Sequence, residues 1–242
     1  MSIVLMAFLG TAILFQGQTF YGKRKSGYFE TQEDGAPFGY YVPRQINAGQ
    51  NLRYPLVVVF GQQTTNANQW RDILGKDDLI IVAIQPKMGG TWTLPTDIVR
   101  VLSKVDYMKK MYPIDPDRIW AVGYGASGNI ALLLAINHPE SFRAAATVDS
   151  KVVNTIVSGG DTGDGSFVGT FDFRNDSARH LPLLLIDFGE GSSVSKEDSK
   201  KTREVLEQYG YPVTYQSLKG YSEYPTKSVI HQMYDWLRNQ GK

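Results

Sequence analysis

The residues that would do chemistry gather in the stretch Gly123-Tyr124-Gly125-Ala126-Ser127-Gly128-Asn129, which joins two apolar runs, Arg118 to Tyr124 and Ala126 to Asn137. A buried strand that turns sharply into a buried helix exposes the residue at the bend, with the helix N-terminus beneath it; a serine held there is an acyl-transfer nucleophile. Here the bend falls on Gly125, which has no side chain. Ser127 is the nearest serine in sequence, and the surrounding Gly125-Ala126-Ser127-Gly128-Asn129 matches G-x-S-x-G except for Asn129 in the last place. Each of the three histidines is badly placed for a general base. His138 lies at a helix exit, His180 precedes a buried strand on the side away from the strand ends, and His231 lies within the last helix. No two histidines are close in sequence, and Asp161-Thr162-Gly163-Asp164-Gly165 lacks the spacing and distal Glu of a calcium loop, so neither a metal nor a cofactor is expected.

Strands and helices alternate around this turn. "FGYYVP" and "RYPLVVVFG" read as a strand pair, the second buried on both faces at Val57 to Phe60. "TNANQWRDIL" follows as a short helix, "DLIIVAIQP" as another buried strand, and "KMGGTWTLP" as a loop carrying Trp92. From Thr96, the residues Ile98, Val101, Leu102, Val105 and Met108 recur at helical spacing until Pro113. The strand "RIWAVGY" and a helix apolar on all sides come next, then the strand "FRAAATV". The Gly/Asp-rich residues 151–180 read as a lid-like insertion over the strand ends. "LPLLLIDFG" resumes the sheet. A helix with Ser195 as N-cap and Gly210 at its end follows, then the strand "VTYQSL" and a last helix from Pro225 to Asn239 with its face marked by Val229, Met233, Trp236 and Leu237. Strands and helices in this order predict a mostly parallel sheet covered on both faces, with its site at the C-terminal strand ends.

At 242 residues the chain is long enough for one large core, read here as a single domain over residues 18–242. A formal charge of +1, with 20% charged residues, provides no basic surface for nucleic acid. The absence of cysteine removes thiolate nucleophiles and zinc-thiolate sites. Residues 1–17 contain "SIVLMAFLGTAILF", an uncharged run of 14 residues with the length of a signal-peptide core. Export to the periplasm or outside the cell is the expectation, with a membrane-proximal anchor or a strand of the fold as alternatives. Any membrane contact would be made through this leader.

Several of these segments together resemble a known family. "YYVP" followed by "YPLVVVFG", "IDPDRIWAVGYGASG", "NHPESFRAAATV", "FGEGSSV" and "MYDWLRNQ" are similar to the secreted α/β-hydrolase-fold esterases and predicted peptidases grouped with polyhydroxyalkanoate depolymerases and feruloyl esterases, over residues 37–240. The resemblance implies an α/β-hydrolase fold and a Ser-His-Asp triad. It places the nucleophile at Gly125, the acid at Ser192 and the histidine at Tyr221, so no catalytic position keeps its residue. The family's His-Gly oxyanion pair falls on Gly61 and Gln62. Triad members act as a unit, so three independent substitutions agree with one another. In the same register Ser127 lies two residues past the bend, inside the first helical turn, where its hydroxyl is expected to help cap the helix.

What survives is a helix N-terminus at the sheet edge, where the N–H groups of Ala126 and Ser127 suit a carboxylate, phosphate or polarised carbonyl. Tyr124, Tyr221, Tyr224 and Trp92 surround it with aromatic rings. Such rings suit a sugar or phenolic ligand, a protein partner, or simple filling of the vacated site. Three functions remain open at this point: a non-catalytic ligand- or partner-binding protein, an active serine esterase using Ser127, and a structural subunit of a complex.

Overall fold

The computed structural model describes residues 25–33, 36–47, 52–61, 66–75, 78–87, 92–93, 96–150, 171–173, 176–188, 196–219 and 225–240. The apolar leader, most of the 151–180 insertion, and Gln62, Ser192, Ser195, Tyr221 and Tyr224 lie outside the described residues.

Eight strands form one sheet: β1 Gly27–Glu33, β2 Ala36–Val42, β3 Tyr54–Phe60, β4 Ile80–Ile84, β5 Ile114–Tyr124, β6 Ala144–Val148, β7 Leu183–Asp187 and β8 Val213–Ser217. Their spatial order is β1-β2-β4-β3-β5-β6-β7-β8. From β4 to β8 every neighbouring pair is parallel, whereas β1 and β2 are antiparallel additions at one edge. The expected pairing of "FGYYVP" with "RYPLVVVFG" is therefore corrected: β4 lies between them, and β2 pairs with β4 through Phe38↔Ile84 and Tyr41↔Ile81. An antiparallel strand beside an otherwise parallel sheet belongs at its edge, while β3 is buried at all seven positions and has parallel partners on both sides. Strand β1 escaped the sequence reading because "GYFETQE" is a polar edge strand without an apolar run.

Among the described residues five helices cover the sheet: α1 Asn66–Leu74, α2 Thr96–Met111, α3 Ala126–Asn137, α4 Lys196–Gln208 and α5 Lys227–Leu237. Alternating strand side chains sort them onto two faces. Leu56, Val58 and Phe60 pack with Val101, Val105 and Met108 of α2, the apolar residues of α3 and Leu206 of α4. Val57 and Val59 pack on the opposite face with Trp70 and Leu74 of α1 and Val229 and Met233 of α5. Helix α3 is buried continuously from Ser127 to Ile136, as its all-round apolarity requires. Each fully buried Leu or Ile in it contributes about 1.5–3 kcal/mol. The last helix is shorter than expected, because Thr226 caps it: its Oγ1 accepts a hydrogen bond from the Val229 amide. Its buried face includes Ile230 and Tyr234, while Trp236 is only partly buried and donates its indole N–H to Thr214 Oγ1 at 3.2 Å. Within the expected insertion, Asp176–His180 forms a 3₁₀ turn leading into β7.

Candidate functional site

The turn between β5 and α3 is built from glycines with different jobs. Gly125 has φ 55° and ψ −134°, a left-handed conformation that costs other residues energy. Its carbonyl accepts from Gly128 N at 2.9 Å to start the helix, and its own N–H donates to Val148 O at 2.9 Å, tying the bend to β6. Among the described residues, a Cβ placed on Gly125 would meet nothing within 4 Å. Gly123 is the opposite case: a Cβ there would stand 2.5 Å from Ser127 O and 2.9 Å from Gly128 Cα. Close approach of α3 to β5 thus requires Gly123, and the direction of the chain requires Gly125.

Ser127 does not cap the helix. The N-cap residue is Gly125, which has no side chain to offer, and the buried Ser127 hydroxyl accepts a hydrogen bond from the Trp92 indole N–H at 3.1 Å. Trp92 is itself buried, with its ring centroid 5.8 Å from that of Phe60 at the end of β3. The loop carrying Trp92 is anchored by the carboxylate of Asp97, which accepts from Thr93 N at 2.7 Å and Lys87 N at 3.3 Å. Arg100 forms a buried ion pair with Asp97 at 2.9 Å and also donates to Gln85 O. The chain Arg100, Asp97, Thr93, Trp92, Ser127 therefore runs from α2 to the underside of the turn.

On the other side, Tyr124 is half-buried and its hydroxyl accepts from Asn66 Nδ2 at 3.2 Å. The Asn66 amide also occupies the space where a Cβ on Gly61 would go. Gly61, Asn66 and Tyr124 close the interval between the end of β3 and the turn. Ala126 is exposed and begins α3, whose first N–H groups have no partner within the helix. The structure thus brings together Gly61, Trp92, Tyr124, Gly125, Ala126 and Ser127. Ser192, Tyr221, Tyr224 and Gln62 cannot be placed, since they lie outside the described residues.

The histidines stand apart from the turn. His138 closes the far end of α3 and lies 3.2 Å from Glu140, His180 is exposed at the entry to β7, and His231 is exposed on α5. Among the described residues no three His, Cys, Asp or Glu side chains form a metal-holding group.

Two carboxylates at the strand ends went unnoticed in the sequence. Asp149 has φ 47°, donates its N–H to Ile186 O and accepts Phe188 N–H at 2.9 Å, locking the ends of β6 and β7 together. Asp187 is fully buried, accepting from Ser217 Oγ at 2.9 Å and from the Tyr215 hydroxyl. Burial and the Asp187 carboxylate push the Tyr215 phenol up to about 12. An Asp closing an otherwise apolar strand, as in "LLLID", was the available signal for the second.

The chain superposes on an S-formylglutathione hydrolase from Agrobacterium tumefaciens with a TM-score of 0.66 at 15% identity, over 89% of this chain and 95% of that one. A ferulic acid esterase gives 0.61 at 10% identity, over 88% and 97%. A thermostable esterase gives 0.63 at 19% identity over 89% of this chain, which spans 62% of that longer molecule. The fold is the α/β-hydrolase fold. No protein-family model matches the chain, and no curated protein sequence does. At these identities the likeness is one of fold, and an α/β-hydrolase fold hosts whatever chemistry its own site residues support. Gly125 stands where this fold turns from its central strand into the following helix.

Proposed function

We propose that this chain is a non-catalytic α/β-hydrolase-fold protein that binds a small ligand or a protein partner at the C-terminal edge of its sheet. One observation carries the reading: the residue at the strand-to-helix turn is Gly125, and Ser127, two residues on, is buried with its hydroxyl engaged by Trp92. Acyl transfer needs a nucleophile with a base in hydrogen-bond reach, and neither Gly125 nor the engaged Ser127 supplies one. By resemblance, Ser192 and Tyr221 stand at the acid and histidine positions, which agrees with the loss at Gly125.

What remains suits binding. The N-terminal amides of α3 favour a carboxylate or polarised carbonyl, and Tyr124 supplies an aromatic wall with a polar tip. A phenolic acid or a sugar acid combines both features, and one protein of this fold is a ferulic acid esterase. The apolar leader supports a location outside the cytoplasm.

The purified protein should neither turn over activated aryl esters nor react with a fluorophosphonate probe. Gly125→Ser, Ser192→Asp and Tyr221→His in combination should create measurable ester hydrolysis. Hydrolysis by the native protein that disappears in Ser127→Ala would establish an active serine esterase instead.

A further inference from the structure

On the α4 face, close to the strand ends, hydroxyl groups from several elements converge on one recess. Thr147 of β6, Ser150 just beyond it, Ser199 and Thr202 of α4, and Tyr215 of β8 line it, with Leu185 of β7 among its apolar walls. Ser199 and Thr202 are three residues apart and so share one face of α4. The free space is about 10 Å³, close to what a single water molecule needs.

Thr147 Oγ1 is fully buried and has no partner among the described residues, a condition that costs free energy unless something in the recess satisfies it. The other hydroxyls still have capacity to spare. Thr202 donates to Asp198 O at 2.8 Å and Tyr215 donates to Asp187, so both oxygens keep lone pairs to accept with. Ser150 Oγ reaches Val148 O only at 3.5 Å, the outer limit of a hydrogen bond. We propose that this recess is a binding site for one internal water, bonded to Thr147 Oγ1 and to at least two of the hydroxyls of Ser150, Ser199, Thr202 and Tyr215. Bonded to Ser199 or Thr202, such a water ties α4 to β6. Through Ser150, whose hydroxyl fills the place of a Cβ on Gly128, it also supports the first turn of α3. The inference does not depend on whether the protein is a binder or an esterase.

Water ¹⁷O and ²H relaxation dispersion on the full chain, native and Thr147→Val, tests it. Valine has nearly the shape of threonine without the hydroxyl, so the variant should lose one long-lived water and fall in Tm by about 2–4 °C. Thr147→Ser, which keeps the hydroxyl, should retain the water and serves if the valine variant does not fold, with Thr147→Ala then expected to release it or exchange it faster. A native protein and Thr147→Val with equal numbers of long-lived waters would overturn the proposal, as would a Tm raised by valine, the signature of a dry recess relieved of a buried hydroxyl.

Discussion

Gly123 and Gly125 are two residues apart, yet substitution should reveal opposite constraints. Alanine at Gly123 forces a Cβ against the Ser127 carbonyl and the Gly128 Cα, both backbone atoms that cannot rotate away. We expect a loss of about 1–3 kcal/mol that grows with a larger side chain. Alanine and serine at Gly125 should each cost about 1–3 kcal/mol through positive φ alone, with little difference between them, since a Cβ there meets no described residue within 4 Å. Urea unfolding midpoints of Gly123→Ala, Gly123→Val, Gly125→Ala and Gly125→Ser check this, and a size-dependent series at Gly125 would contradict it. The special role of Gly125 was legible in the sequence, since a glycine at a sharp strand-to-helix turn has a local cause. The role of Ser127 was not. Its partner Trp92 is 35 residues away, and a hydrogen bond across that separation leaves no mark on local spacing.

Helix α2 shows the same limit at the scale of an element. The apolar residues Val101, Val105 and Met108 announced both the helix and its buried face. Asp97, Arg100 and Lys104 are charged residues that this apolar pattern passes over, and all three are buried. Asp97 and Arg100 pair with each other and with the backbone of the loop that holds Trp92. Asp97→Asn leaves the Arg100 guanidinium buried without its counter-charge and should cost about 3–5 kcal/mol, with much of it recovered in Asp97→Asn/Arg100→Met. Chemical denaturation of the two variants measures this; a loss under about 1 kcal/mol for the single substitution would mean that the pair is hydrated rather than dry. Strand order was similarly hidden. The runs in β3 and β4 marked buried strands, but whether β2 paired with one or the other depended on which of them closed the parallel set.

For the molecule as a whole, the distribution of tyrosines sets an alkaline limit. Burial raises Tyr40, Tyr211, Tyr215 and Tyr234 to about 12, with the neighbours Tyr112, Asp187 and Asp78 adding to the effect at Tyr40, Tyr215 and Tyr234 respectively. Unfolded tyrosine ionises near about 10. Above that pH the unfolded chain binds fewer protons than the folded one, so stability, undiminished below it, should fall as pH rises from about 10 to about 12. Unfolding free energies across this range, recorded beside tyrosinate absorbance, test the sign. Full ionisation near pH 10 with the fold intact would show these phenols to be more hydrated than their surroundings imply. The parallel core and its two covered faces were readable from alternation and apolar runs. The site was readable only as far as the turn, because its walls come from strand ends far apart in sequence.

The position of Gly125 also makes this protein chemically addressable. The chain contains no cysteine, so Gly125→Cys would carry a single thiol in the molecule, set at a helix N-terminus and facing no neighbour within 4 Å among the described residues. Helix N-termini draw thiols below their usual value of about 8.5, so alkylation of this cysteine should reach half its maximal rate at a pH below that. A fluorophore or spin label attached there would sit at the mouth of the candidate binding site. It would report occupancy without requiring the ligand to be known in advance.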